Sequence, residues 1–102
     1  METIKRGSTP TQYFCTEIDL SSAVSLYVVY KQNDVVVIEK TIDDVKFDCG
    51  GISFTLTQEE TLRLEPYTDV YIEIGAEFPD GGVPRSEIVT AKVSRTLKNG
   101  VI

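Results

Sequence analysis

The strongest strand signal in the chain is VYIEIGAEF, residues 70–78. Apolar side chains occupy every second position of this run, which is the period of a strand with one buried and one outward face. We expect the inward face to carry Val70, Ile72, Ile74, Ala76 and Phe78. We expect the outward face to carry Tyr71, Glu73, Gly75 and Glu77.

Runs rich in β-branched and aromatic residues recur along the chain and are separated by turn residues. They predict six further strands, at residues 13–15, 24–32, 35–42, 45–47, 52–56 and 87–96. Turns are predicted at residues 18–23, at Asn33-Asp34, at Cys49-Gly50-Gly51 and at residues 79–82. Alternation predicts further core residues, namely Leu26, Val28, Tyr30, Ile52, Phe54, Leu56, Val89, Ala91 and Val93.

A single segment carries helix signals. Thr57 and Glu60 have the spacing of a capping box, in which each side chain accepts a hydrogen bond from the backbone N–H of the other residue. Pro66 cannot continue a helix, because it lacks the backbone N–H. We therefore predict one short helical turn near residues 57–64, between two strands.

Seven short strands with turns at regular intervals are typical of an all-β protein. The chain has 102 residues, which suits one domain, and no linker or repeat divides it. We predict a single antiparallel β-sandwich over residues 1–102, immunoglobulin-like in size. The sequence has no tryptophan, so the Cys…Trp…Cys signature of true immunoglobulin domains is missing. A small closed barrel is the competing architecture.

The charge balance limits the classes of partner. The net charge is −6, and lysine and arginine are scattered along the chain. Nucleic acids and anionic membranes attract clustered positive charge, so we expect neither as a partner. No apolar run reaches the roughly 20 residues of a membrane-spanning helix. The first residues lack the apolar stretch of a secretory signal, so we expect synthesis and folding in the cytoplasm.

The sequence offers little for catalysis. Histidine, the commonest acid–base catalyst at neutral pH, is absent. The candidate carboxylates fall in predicted turns, at the helix start or on an outward strand face, where solvated acids are usual; they are Asp43, Asp44, Asp48, Glu59, Glu60 and Glu77. Cys15 and Cys49 match no metal motif, and we expect reduced thiols, with Cys15 packed in a strand. We predict a protein that is not an enzyme, with no catalytic residue, no cofactor and no metal.

Two neighbouring strands are unusual because both of their faces are apolar. Residues 24–32 carry Tyr27 and Val29 opposite the inward set, and VVVI at residues 35–38 is apolar throughout. A sandwich strand normally has one wet face. Either a loop or terminus covers the second face, or the face is exposed to another chain. In the second interpretation the interface comprises Tyr27, Val29, Val35, Val37 and Tyr71.

Four stretches together resemble a known family. They are residues 4–10, the turn at residues 19–23 with the aromatic strand after it, residues 56–62 and residues 97–102. The sequence is similar to small structural proteins of tailed phages and prophages of Gram-positive bacteria, and to the N-terminal β-sandwich domain of phage baseplate upper proteins. The resemblance implies a virion or tail component that works through protein–protein contacts and has no catalytic residues. We expect no coiled coil or receptor-facing domain after residue 102, unlike in baseplate upper proteins, which leaves the position in the particle open.

These observations favour a non-enzymatic phage or prophage protein with a structural or assembly role in the tail, the baseplate or the head decoration. The expected partners are other phage structural proteins and further copies of the chain. The protein is expected either to enter the phage particle or to act as an assembly factor that is absent from the finished particle. The alternative is a sandwich-type carbohydrate-binding module, in which exposed Tyr27, Tyr67 and Tyr71 would stack on sugar rings. The absence of tryptophan counts against that alternative.

Overall fold

Eight strands form two sheets in the computed structural model, which describes residues 2–15, 20–48, 51–85, 88–98, 100 and 102. The strands are β1 (Glu2–Lys5), β2 (Thr11–Phe14), β3 (Ser25–Gln32), β4 (Val35–Thr41), β5 (Lys46–Asp48), β6 (Gly51–Thr55), β7 (Val70–Glu77) and β8 (Val89–Ser94). The other elements are the helix α1 (Gln58–Leu62) and the 3-10 turns Leu20–Ser22 and Ile42–Asp44. The predictions for residues 18, 19, 49, 50 and 87 lie outside the described residues.

The strand order is that of an immunoglobulin sandwich. The larger sheet runs β1-β8-β7-β3-β4 and the smaller runs β2-β6-β5. Neighbouring strands are antiparallel, except that β1 runs parallel to β8. The smaller sheet corresponds to strands B, E and D of a variable-type domain, and β8, β7, β3 and β4 correspond to G, F, C and C′. The predicted all-β, immunoglobulin-like sandwich is confirmed, and two separate sheets replace the barrel alternative.

Strand β1 has no counterpart among the predicted strands. It pairs with β8, which follows it by more than eighty residues, and Ile4 faces Val93 in that pairing. Ile4 is buried in the core. Four residues are too few for the alternation of a strand to be recognised. The pairing of β1 with the distant β8 also leaves no pattern in the local sequence that would predict it.

The core lies between the two sheets and contains most of the residues that alternation predicts. The buried predicted residues are Leu26, Val28, Tyr30, Ile52, Phe54, Leu56, Val70, Ile72, Ile74, Ala76, Ala91 and Val93. Phe78, just beyond β7, is partly buried against them. Val89 lies on the predicted inward face, opposite the buried Ile72, but 45% of the residue is exposed, so it is not part of the core. Val89 is the first residue of β8 and the last to pair with β7, so its side chain lies at the margin of the sheet.

A buried tyrosine in β3 joins the two sheets. Tyr30 in β3 donates a hydrogen bond from its hydroxyl to Oε1 of Gln12 in β2, at 3.0 Å. Its ring meets Phe54 of β6 edge to face, with the centroids 6.3 Å apart. Tyr30 and Gln12 are both buried. The hydrogen bond therefore satisfies two polar groups inside the core, as burial requires.

Helix α1 has the predicted capping box. The Thr57 backbone N–H donates to Oε1 of Glu60 at 2.9 Å, and the Glu60 N–H donates to Oγ1 of Thr57 at 3.1 Å. Beyond the helix, the Arg6 guanidinium donates to the carbonyl oxygens of Leu62 and Leu64, at 2.9 and 2.7 Å. Both ends of this segment are thus fixed, which confirms a short helical turn near residues 57–64.

The prediction that Cys15 packs inside a strand is wrong. Strand β2 ends at Phe14, and Cys15 is a free, exposed thiol one residue later. The apolar run at residues 13–15 therefore overstates the strand by one residue, an error that is common at element ends.

Candidate binding surface

The outer faces of the two sheets differ in character. Among the described residues, the outer face of the smaller sheet carries polar side chains and one aromatic; they are Thr11, Tyr13, Lys46, Ser53 and Thr55. The outer face of the larger sheet carries Val29, Val36 and Tyr71, and Ile88 lies beside them just before β8. Of these side chains, Val36 is 47% exposed and Ile88 is 62% exposed. We call Val29, Val36, Tyr71 and Ile88 the outer apolar patch.

Charged residues alternate with the outer apolar patch. Lys31 lies opposite Val36 on one side and opposite Tyr71 on the other. Val29 lies between Glu39 and Glu73 in the next row of the sheet. The patch lines a shallow depression of about 300 Å³ together with Lys31 and Glu73. Apolar and charged side chains thus share this face, and protein-binding surfaces also combine the two.

A β-bulge decides which valine of β4 reaches this face. Tyr30 pairs with Ile38 but Lys31 pairs with Val36, so Val37 is an extra residue in β4. Val37 packs against the core, and Val35 lies opposite the buried Gln32. The structure therefore brings Val29 and Tyr71 together with Val36, and it places Val35 and Val37 elsewhere. The sequence VVVI gives no signal for the bulge, because all four residues are apolar.

Tyr27 lies on the same outer face but is built into the sheet. Its ring covers Gly75, its partner on β7, so closely that a Cβ atom at position 75 would overlap the ring. Its hydroxyl donates to Oε1 of Glu73 at 2.6 Å, and the Arg85 guanidinium carbon lies 6.0 Å from the ring centroid. The ring is thus held from three sides, and it forms part of the sheet surface next to the outer apolar patch.

The environment of Tyr27 raises the pKa of its hydroxyl above the usual 10.0. Partial burial is the largest cause, because it disfavours the phenolate. The hydrogen bond to Glu73 and the negative charge of that carboxylate raise the pKa further, and the positive charge of Arg85 opposes them. Tyr27 is consequently a neutral hydrogen-bond donor at physiological pH.

A second depression overlaps the outer apolar patch, with which it shares Tyr71 and Ile88. It is an open groove of about 660 Å³, lined by Lys31, Asn33, Asp34, Tyr67, Thr68, Asp69, Tyr71 and Ile88. We call it the aromatic groove. Of the three tyrosines that the sequence suggested for sugar stacking, Tyr67 and Tyr71 line this groove and Tyr27 does not. The hairpin residues Asn33 and Asp34 were not predicted here, since only the fold brings that turn beside residues 67–71.

Two of the candidate acids have structural roles at turns. The Thr41 backbone N–H donates to Oδ2 of Asp44 at 2.9 Å, and this hydrogen bond lowers the pKa of Asp44. Desolvation raises the pKa of Glu60, but hydrogen bonds from Lys40, at 2.8 Å, and from Thr57 outweigh it, so the pKa is lowered. Both carboxylates thus stabilise local structure in the ionised state.

Two further properties concern metals and membranes. In the described part of the chain, no three Cys, Asp or Glu side chains converge as a metal site would require. Helix α1 has five residues, and no described helix combines the length and apolar character needed to cross a bilayer.

Comparisons with known proteins give structural neighbours alone. No protein-family model matches the sequence, and no curated protein matches it. The chain is similar to the immunoglobulin-like domain of mouse leukocyte-associated immunoglobulin-like receptor 1, solved as a strand-swapped dimer, with 13% identity and a TM-score of 0.48 over 89% of this chain and 84% of that one. It is also similar to the V domain of amphioxus IgVJ-C2, with 12% identity and a TM-score of 0.38 over 90% of this chain and 98% of that one. The fold assignment rests on the strand order.

Proposed function

We propose that this protein is a non-enzymatic binding module that acts through protein–protein contacts made by the outer face of its larger sheet. The observation that carries this proposal is the outer apolar patch. Its exposed side chains lie together on one face, whereas the outer face of the smaller sheet is mostly polar among the described residues. Exposed apolar side chains gathered on one face mark interaction sites in soluble domains.

The biological setting that we propose is a tailed phage or prophage. The resemblance of the sequence to phage structural proteins supports a role in the tail, the baseplate or the head decoration, or in their assembly. The partners would be other structural subunits, including further copies of this chain. The charged residues Lys31, Glu39 and Glu73 around the patch would fix the orientation of such a partner, because opposite charges must face each other across an interface.

Mass spectrometry of particles purified after prophage induction tests this function. We expect many copies of the protein per particle with the native sequence. Val36→Glu places a charge in the outer apolar patch, and burying it against a partner is unfavourable, so we expect at least about a tenfold loss of copies. Val35→Glu is the matched control, because it changes the neighbouring exposed valine outside the patch and should leave the copy number unchanged.

The purified variants should unfold at the temperature of the native protein, since both valines are exposed. Absence of the native protein from particles would contradict the virion role. Equal incorporation of Val36→Glu and Val35→Glu would contradict the proposed surface.

A further inference from the structure

We propose that the aromatic groove is a binding site for a neutral oligosaccharide, a function beyond the protein contacts proposed above. The groove combines two exposed tyrosine rings with carboxylate, amide and ammonium groups. The C–H faces of a pyranose ring pack against aromatic rings, and its hydroxyl groups both donate and accept hydrogen bonds. A sugar can therefore contact both the tyrosine rings and the polar side chains that line the groove.

Tyr67 is presented to solvent by its backbone. It has a φ of 62°, a left-handed conformation that bulky residues seldom adopt, and 78% of the residue is exposed. Its backbone N–H donates to the carbonyl oxygen of Val93 at 2.9 Å, which anchors the residue to β8. The backbone of Tyr67 is thus held in place while its ring buries little apolar surface. A ring of this kind adds little to stability and is available to bind a ligand.

A buried glutamine holds the turn that carries Tyr67. The side-chain amide of Gln32 donates to the carbonyl oxygens of Glu65 and Thr68, both at 3.1 Å, and accepts from the Glu65 N–H at 2.8 Å. Gln32 is buried, so these hydrogen bonds form away from water. The turn is therefore rigid before any ligand binds, which reduces the entropy lost on binding.

The second ring of the groove stands on a different element. Tyr71 is in β7 and is 49% exposed, and its strand partner Lys31 lines the same groove. One ring on a turn and one on a strand form two stacking positions, and Asp69 follows the turn between them. Two such positions favour an extended ligand of several sugar units over a single sugar.

The charges of the groove favour a neutral ligand. Lys31 supplies one positive charge, and Asp34 and Asp69 supply two carboxylates. The whole chain has a net charge of −6. An anionic glycan would meet repulsion from the carboxylates and from the protein as a whole. Carboxylates are also strong acceptors for the paired hydroxyl groups of a neutral sugar.

NMR titration of the isotope-labelled protein tests this proposal. The neutral probes are maltohexaose, cellohexaose and chitohexaose, and the anionic probe is hexagalacturonate. We expect at least one neutral probe to bind and to shift the amide signals of Thr68, Asp69 and Tyr71. Tyr67→Ala should weaken that binding by about tenfold, because a stacking ring is lost. Tyr13→Ala is the control, since Tyr13 is an exposed tyrosine, 49% accessible, on the other sheet and away from the groove.

Tyr67→Gly is a second variant that keeps the turn, because glycine adopts a positive φ without strain. It should bind as weakly as Tyr67→Ala while unfolding at the same temperature as the native protein or higher. The proposal is overturned if no neutral probe binds up to about 10 mM, a limit well above ordinary dissociation constants for weak ligands. It is also overturned if hexagalacturonate binds more tightly than every neutral probe, or if both Tyr67 variants bind as the native protein does.

Discussion

Tyr27 shows how an outward-facing aromatic residue can belong to the fold. Gly75 leaves an open space on the sheet, and the Tyr27 ring fills it from the neighbouring strand. Glycine weakens a strand because it has no side chain to pack, and a cross-strand aromatic ring compensates for this. The sequence placed Tyr27 on the correct face, but the pairing with Gly75 depends on the register of β3 and β7.

The hydrogen bond between Tyr27 and Glu73 predicts a titration effect. Glu73→Gln removes the negative charge beside the hydroxyl, so the raised pKa of Tyr27 should fall towards its usual value. Glu77→Gln is the control, because Glu77 is an exposed carboxylate on the same outer face of β7, four residues after Glu73. All five tyrosines contribute to the ultraviolet absorbance of phenolate, so the difference between the titration curves of the native protein and Glu73→Gln measures the change at Tyr27.

The same shift links stability to pH. Because the folded pKa of Tyr27 is raised, its contribution to stability is present below the unfolded pKa of about 10 and is lost as pH rises through the folded value. The native protein should therefore lose more stability in alkali than Glu73→Gln does. An unchanged Tyr27 titration in Glu73→Gln would contradict the assigned hydrogen bond.

At the scale of elements, helix α1 depends on its N-terminal cap. Thr57→Ala removes the acceptor for the Glu60 N–H and should lower the free energy of unfolding by about 1 kcal/mol. Thr57→Ser keeps a hydroxyl and should stay close to the native value. Denaturant unfolding of the three proteins measures the difference. Equal destabilisation by alanine and serine would show that the methyl group of Thr57 matters and the cap does not.

The β3–β4 hairpin shows which features of an element the sequence reveals. The two-residue turn was predicted from Asn33-Asp34, and both residues have the positive φ values, 52° and 64°, of a type I′ turn. The bulge at Val37 was not predicted. The residue types of a turn predict it locally. A bulge depends instead on how β4 pairs with β3 and packs against the core, which the sequence of β4 alone does not show.

At the scale of the whole molecule, the sheets and most of the core followed from alternation. The partly exposed Val89, the parallel pairing of β1 with β8 and the exposed Cys15 did not. Each of these features lies at the end of a strand or joins distant parts of the chain. A pattern of period two has too few residues there to predict burial or pairing. Of the residues predicted for an interface, Val29 and Tyr71 lie in the outer apolar patch, and the fold places Val36 and Ile88 beside them.

Hydroxyl-radical footprinting measures directly which outer face of the sandwich is a protein-binding surface. Tyr71 on the larger sheet and Tyr13 on the smaller are each 49% exposed in the free chain, so each serves as the other's reference. In particles that contain the protein, or in its self-associated form, Tyr71 should be oxidised far less than in the free protein while Tyr13 stays reactive. Protection of Tyr13 with Tyr71 as reactive as in the free chain would contradict the assignment of the larger sheet as the contact surface.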